Sequence, residues 1–142
     1  MRQVNIYTAS GIRSPRAGSG TAGYILEVMT QKGPATLTKT AEILNATANQ
    51  SELRILNMAL KRLTEKCSLT IHTESGYVAA GLSELSRWES NGWKTSRGKY
   101  VANMEEWLET AELLNGHAFS VTTENHEYRA WLRSEVTRKE KQ

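Results

Sequence analysis

The hydrophobic period of this chain changes near residue 48, and that change constrains its class. Before residue 47 apolar positions alternate; after residue 50 they recur at three- and four-residue spacing. Residues 4–8, 20–29 ("GTAGYILEVM") and 35–44 ("ATLTKTAEIL") read as strands, separated by Ser14, Pro15, Gly18 and Gly20 and then by "GP" at 33–34. Three strands on short links predict an antiparallel meander. Leu53, Leu56, Leu60 and Leu63 then share one helical face. Asn49 stands three before Glu52, a capping-box spacing that predicts a helix start near residue 50 with Glu52 in its first turn.

Downstream, "SLTIHTE" at 68–74 reads as a strand with Leu69 and Ile71 facing inward. "SGYVAAGLSELSRWE" reads as a helix, although Gly76 and Gly81 weaken its start. "NGWKTSRGKYV" is a polar loop, and "NMEEWLETAELLNG" a helix with Asn103 as cap and Gly116 past its end. "HAFSVTT" is a fifth strand, residues 125–139 a last helix, and the tail from 137 to 142 is expected to fray. The order βββ–α–β–αα–β–α predicts an α/β protein, a five-stranded mixed sheet flanked by helices. A chain of 142 residues makes this a single domain over 1–142, large enough for its own core.

Composition narrows the setting. One cysteine, Cys67, rules out an internal disulfide framework and suits a reducing compartment; behind an amphipathic run it is expected to be a buried, inert thiol. No apolar run reaches the length of a membrane span and no signal-peptide pattern opens the chain, so a cytoplasmic location is expected. A net charge of +3 permits a polyanionic partner without requiring one. His72 and His117 have no partner at metal-ligand spacing and read as structural or surface residues. No Ser/His/Asp set, Gly-rich phosphate loop or zinc motif is present.

Four blocks, in order and at matching spacing, resemble ribonuclease HI. "TANQSEL" at 47–53 is similar to the family's "TNNRMEL", and "ESGYV" at 74–78 to its "DSQYV". "WESNGWKT" at 88–95 and "VANMEEW" at 101–107 resemble "WKKRGWKT" and "VKNVDLW". The resemblance covers almost the whole chain. It implies a ribonuclease H fold and metal-dependent hydrolysis of the RNA strand of RNA–DNA hybrids, leaving 3′-hydroxyl and 5′-phosphate ends. It also implies two Mg²⁺ or Mn²⁺ ions about 4 Å apart, held by four carboxylates that converge from separate elements.

Only part of that set is present. The second and third carboxylates correspond to Glu52 and Glu74, which the resemblance makes the catalytic and metal-binding candidates; Glu74 is one methylene longer than the family's aspartate. The first and fourth fall on Ala9 and Ala130. Losing the first removes the bridge between two dications, so metal is expected to be weakly bound and catalysis weak or lost. Natural drift is favoured over an engineered knock-out, because the changes at Glu74, Ala130 and "SGIRS" accompany Ala9. Glu124 or Glu127, flanking the last helix, offers an alternative in which a rearranged site stays active. His126 is the only imidazole near the place of the family's mobile histidine.

Thr47, Asn49, Trp93, Lys94, Arg97 and Lys99 correspond to the family's nucleic-acid contacts, with Arg13 and Arg16 near the channel. Ala48, Gln50, Glu89, Ser90 and Asn91 depart from that pattern and dilute it. Each feature also has a plain reading: Glu52 as a helix-start residue, Trp88, Trp93 and Trp107 as core, the arginines as exposed loop. The partner implied is an RNA–DNA hybrid bound by a monomer, the remaining alternative being a retained scaffold for protein contacts.

Overall fold

A computed structural model describes residues 1–140, with side chains through Thr137. The meander comprises β1 (Arg2–Ser10), β2 (Gly18–Thr30) and β3 (Gly33–Ala46). The chain continues through α1 (Ala48–Leu60), β4 (Cys67–His72), α2 (Gly76–Ser90), α3 (Met104–Leu114), β5 (Ala118–Thr122) and α4 (Arg129–Glu140). The strands lie in the order β3-β2-β1-β4-β5. Hairpin links make β1, β2 and β3 antiparallel, and helical crossovers return β4 and β5 parallel to β1. The result is the mixed sheet that the element order predicts.

Parity along β1 decides which face each residue serves. Val4 and Ile6 join Leu69 and Ile71 of β4 in the larger core, under Leu53 and Leu56 of α1 and Trp107 of α3. Tyr7 and Ala9 point to the opposite face and meet Leu132 and Val136 of α4. Ala9 pairs across the ladder with Gly23. A Cβ on Gly23 would stand 3.2 Å from Leu132 Cδ1, so two small residues side by side let α4 close on the sheet.

Three helix starts differ from the sequence expectation. α1 begins at Ala48: the Thr47 hydroxyl accepts from the Gln50 N–H at 3.1 Å, and Gln50 Oε1 accepts from the Thr47 N–H at 3.0 Å. This reciprocal box sits two residues before the Asn49–Glu52 pair, so Glu52 lies in the second turn and caps nothing. Asn103 precedes α3 in a left-handed conformation (φ 59°) without capping it. Its amide instead donates to Tyr77 Oη at 2.9 Å. Before α4, Asn125 Oδ1 and His126 Nδ1 accept from the N–H groups of His126 and Tyr128, which holds 125–128 as a turn and delays the helix to Arg129. Helix α4 includes residues 137–140, where fraying was expected; residues 141–142 lie outside the described residues.

Candidate active site

Glu52, on α1, and Glu74, between β4 and α2, are the two carboxylates expected at the site, and the fold brings them together. Both line a cleft of about 210 Å³ at the end of β1, with Ser10, Arg13 and Arg133. Burial pushes the Glu52 carboxyl up to about 7; Glu74 adds to the rise, while Arg133 and Arg13 oppose it. Burial in the cleft thus favours the neutral form of Glu52 despite the two arginines beside it.

The other two positions supply no oxygen from a side chain. Ala9 is 1% exposed and sealed under α4. Ala130 is exposed, and the residues that α4 turns toward the cleft are Arg129 and Arg133. Arg133 Nη1 donates to the Ser10 carbonyl at 2.6 Å, and its Nη2 lies 3.4 Å from Glu74 Oε2. Arg129 Nε lies 4.0 Å from Glu74 Oε1, buried and without a hydrogen-bond acceptor, while Nη2 donates to the Thr123 carbonyl at 3.0 Å. The sequence reading stopped at Ala130. The available signal was the pair of arginines four apart in "RAWLR", which must share a helical face.

These donors do not fit a divalent ion. A dication needs anionic oxygens around it. Here Glu74 and the Ser10 carbonyl are engaged by a guanidinium, and Arg13 lies on the same cleft. Glu124 and Glu127 are exposed and do not line the cleft. Among the described residues no cluster of three or more His, Cys, Asp or Glu could hold a metal.

The cleft continues toward the expected nucleic-acid contacts. Arg13 and Asn49 also border a neighbouring hollow of about 430 Å³, shared with Thr47 and Asn103. The Thr47 oxygen is committed to its helix cap, whereas Asn49, Arg13 and Arg16 are exposed. Lys94, Arg97 and Lys99 stand exposed on the loop between α2 and α3, with Lys94 Nζ 5.3 Å from the Tyr100 ring centre. Trp93 is the anchor of that loop. Its ring packs on the core 6.1 Å from Trp88, and its backbone bonds Trp88 and Val101 at 2.8 and 2.9 Å.

Behind β1 lies a polar cluster that the sequence reading did not find. Glu27 is 6% exposed and accepts from Tyr128 Oη (2.6 Å), Asn5 Nδ2 (2.9 Å) and Tyr7 Oη (3.2 Å). Burial alone would raise this acid, but these hydrogen bonds prevail and lower it. His72 stacks on Tyr7 at 4.3 Å and bonds Asn5, and His126 packs on the same ring at 4.5 Å. Burial pushes both imidazoles down. The other histidine, His117, accepts the Cys67 N–H, and burial pushes the Cys67 thiol up, as suits an inert residue.

Comparison with known proteins places this geometry. The family model described as RNase H matches residues 1–126, ending just before α4. A ribonuclease H of Caldicellulosiruptor saccharolyticus is 34% identical over 119 residues, covering 82% of this chain and 79% of that protein. Among solved structures, LC9-RNase H1, described as a type 1 RNase H with the type 2 active-site motif, superposes with a TM-score of 0.74 at 19% identity, over 97% of this chain and 70% of that one. LC11-RNase H1, solved in complex with RNA/DNA hybrid, gives a TM-score of 0.62 at 20% identity, over 97% and 96%. A family match that runs from β1 to the turn before α4, on a sheet ordered in this way, makes the chain a member of the ribonuclease H family.

Proposed function

We propose that this chain binds RNA–DNA hybrid in the manner of its family and hydrolyses it weakly or not at all. The family reaction is hydrolysis of the RNA strand, and a relative of the same fold has been solved on such a hybrid. The observation that carries the proposal is the pairing of Glu74 with Arg133 beside a buried Ala9, which leaves the cleft short of acceptor oxygens. The binding half rests on a polar path from Arg13 and Asn49 and on the cationic loop of Lys94, Arg97 and Lys99. Long flexible cations pair with phosphates and release counterions, so affinity must depend on salt.

A labelled hybrid titrated by gel retardation at several salt concentrations tests this. The logarithm of the affinity is expected to fall linearly with the logarithm of salt. Replacing Lys94, Arg97 and Lys99 together by Gln should reduce the slope by about 2–3. A slope near zero, or one unchanged in the triple variant, would contradict hybrid binding through this surface. Glu124 and Glu127 are the groups a rearranged active site would need. Their exposure, and their place outside the residues that line the cleft, weigh against that alternative.

A further inference from the structure

We infer that the Arg133 guanidinium replaces the divalent cation of this fold, giving the cleft a permanent, metal-independent grip on a nucleic-acid phosphate. This rests on the hybrid-binding reading above and adds what does the gripping. In a metal-bearing site of this kind, the end of β1 and the end of β4 would both offer oxygens to a dication. Here those two points, the Ser10 carbonyl and the Glu74 carboxylate, are bridged by one side chain, at 2.6 and 3.4 Å. Arg129 backs it from one turn earlier, 4.0 Å from the other Glu74 oxygen, and Arg13 also borders the cleft. Three guanidinium groups therefore face two carboxylates, an arrangement that repels a further dication and attracts an anion.

The hydrogen count agrees. A guanidinium carries five N–H donors in one plane. Arg133 donates an N–H of Nη1 to the Ser10 carbonyl, and its Nη2 forms an ion pair with Glu74 without a hydrogen bond. N–H groups therefore remain on this guanidinium for the oxygens of a phosphate, an acceptor that arginine binds through charge-assisted hydrogen bonds. A guanidinium cannot acidify a bound water as a metal ion does, so the exchange keeps attraction for the backbone and gives up the nucleophile.

Two measurements on the full chain test this. In the first, Mn²⁺ is titrated without nucleic acid and followed by electron paramagnetic resonance. The wild-type protein should leave Mn²⁺ free into the millimolar range. Arg133→Gln should acquire saturable binding that an added Glu74→Gln abolishes. Arg133→Lys, which keeps the charge and reports on folding, should still exclude the ion. In the second, fluorescence anisotropy should give the wild-type protein the same hybrid affinity in EDTA as in Mg²⁺ at matched ionic strength. Arg133→Gln should lose about tenfold of it in EDTA.

Saturable Mn²⁺ binding by the wild-type protein that Glu74→Gln removes would overturn the inference. So would an Arg133→Gln variant with unchanged hybrid affinity. Absence of any hybrid binding by the wild-type protein would defeat the proposed function and the phosphate half of the inference. The Mn²⁺ titration, run without nucleic acid, judges the exchange of cations by itself.

Discussion

Glu52 sits in surroundings that disfavour its charge. Its carboxyl titrates at about 7 against an ordinary 4.5, through burial first and then Glu74, partly offset by Arg133 and Arg13. Between those values the unfolded chain has released the proton while the folded chain keeps it. The stability tied to this group is therefore complete below the unfolded value and lost as pH rises through the folded one. The whole span is worth roughly 3 kcal/mol at most. Glu52→Gln, neutral throughout, should match the wild-type protein in urea denaturation near pH 4.5 and exceed it near pH 8 by about 1–3 kcal/mol. The depressed His72 and His126 slope the other way but are common to both proteins, so they cancel in the difference. Parallel stability curves across the window would refute the burial argument. Ala9 carries a second expectation at this scale. Ala9→Asp should lower the melting temperature, at a cost of about 1–3 kcal/mol, and should not restore cleavage. The new carboxylate would enter the seam under Leu132 and meet the guanidinium already on Ser10. Cleavage gained by this single change would contradict the account.

Among the elements, α2 and α3 show how a local weakness in the sequence becomes a packing device. Gly81 lies against Trp107, and a Cβ there would collide with Cζ2 of the indole. Trp107 is fully buried and tied through Nε1 to Tyr77 Oη at 3.0 Å, so it cannot swing away without losing that bond. Gly81→Ala should therefore cost about 1–3 kcal/mol in denaturant unfolding. Gly76→Ala, with open space around it, should be neutral or slightly stabilising. Equal effects at the two sites would show that helix propensity, not contact, governs both. The strands were legible in advance because side-chain parity writes the two faces into the sequence, as Val4 and Ile6 against Tyr7 and Ala9 show. Helix starts were less legible: two overlapping box-like spacings occur near residue 48, and only the Thr47 oxygen meets its partner. The arginines of α4 escaped notice for a different reason. The family comparison asks for an acid at that helix, and an absent acid does not announce which residue has moved into its place.

For the whole molecule, the topology is what gathers the cleft. A central β1, parallel β4 and a helix on each face deliver Ser10, Glu52, Glu74 and Arg133 from four separate elements to one end of the sheet. Glu52 and Glu74 could be anticipated from sequence because they sit inside the matched blocks. Arg133 was marked only by its spacing from Arg129, and the Ser10 carbonyl by nothing, since a backbone oxygen meets its partner only in three dimensions. The cleft at this end of the fold is organised around arginine, a group that can pair with a phosphate but cannot acidify a water. The most direct test is to incubate the purified protein with a labelled RNA–DNA hybrid in Mg²⁺ and, separately, in Mn²⁺, with Glu52→Gln alongside to expose contaminating nuclease. The account predicts a hybrid that is retarded on a gel yet left intact or barely cut, equally in both proteins. Cleavage by the wild-type protein that disappears in Glu52→Gln would contradict it and mark the chain as a working nuclease.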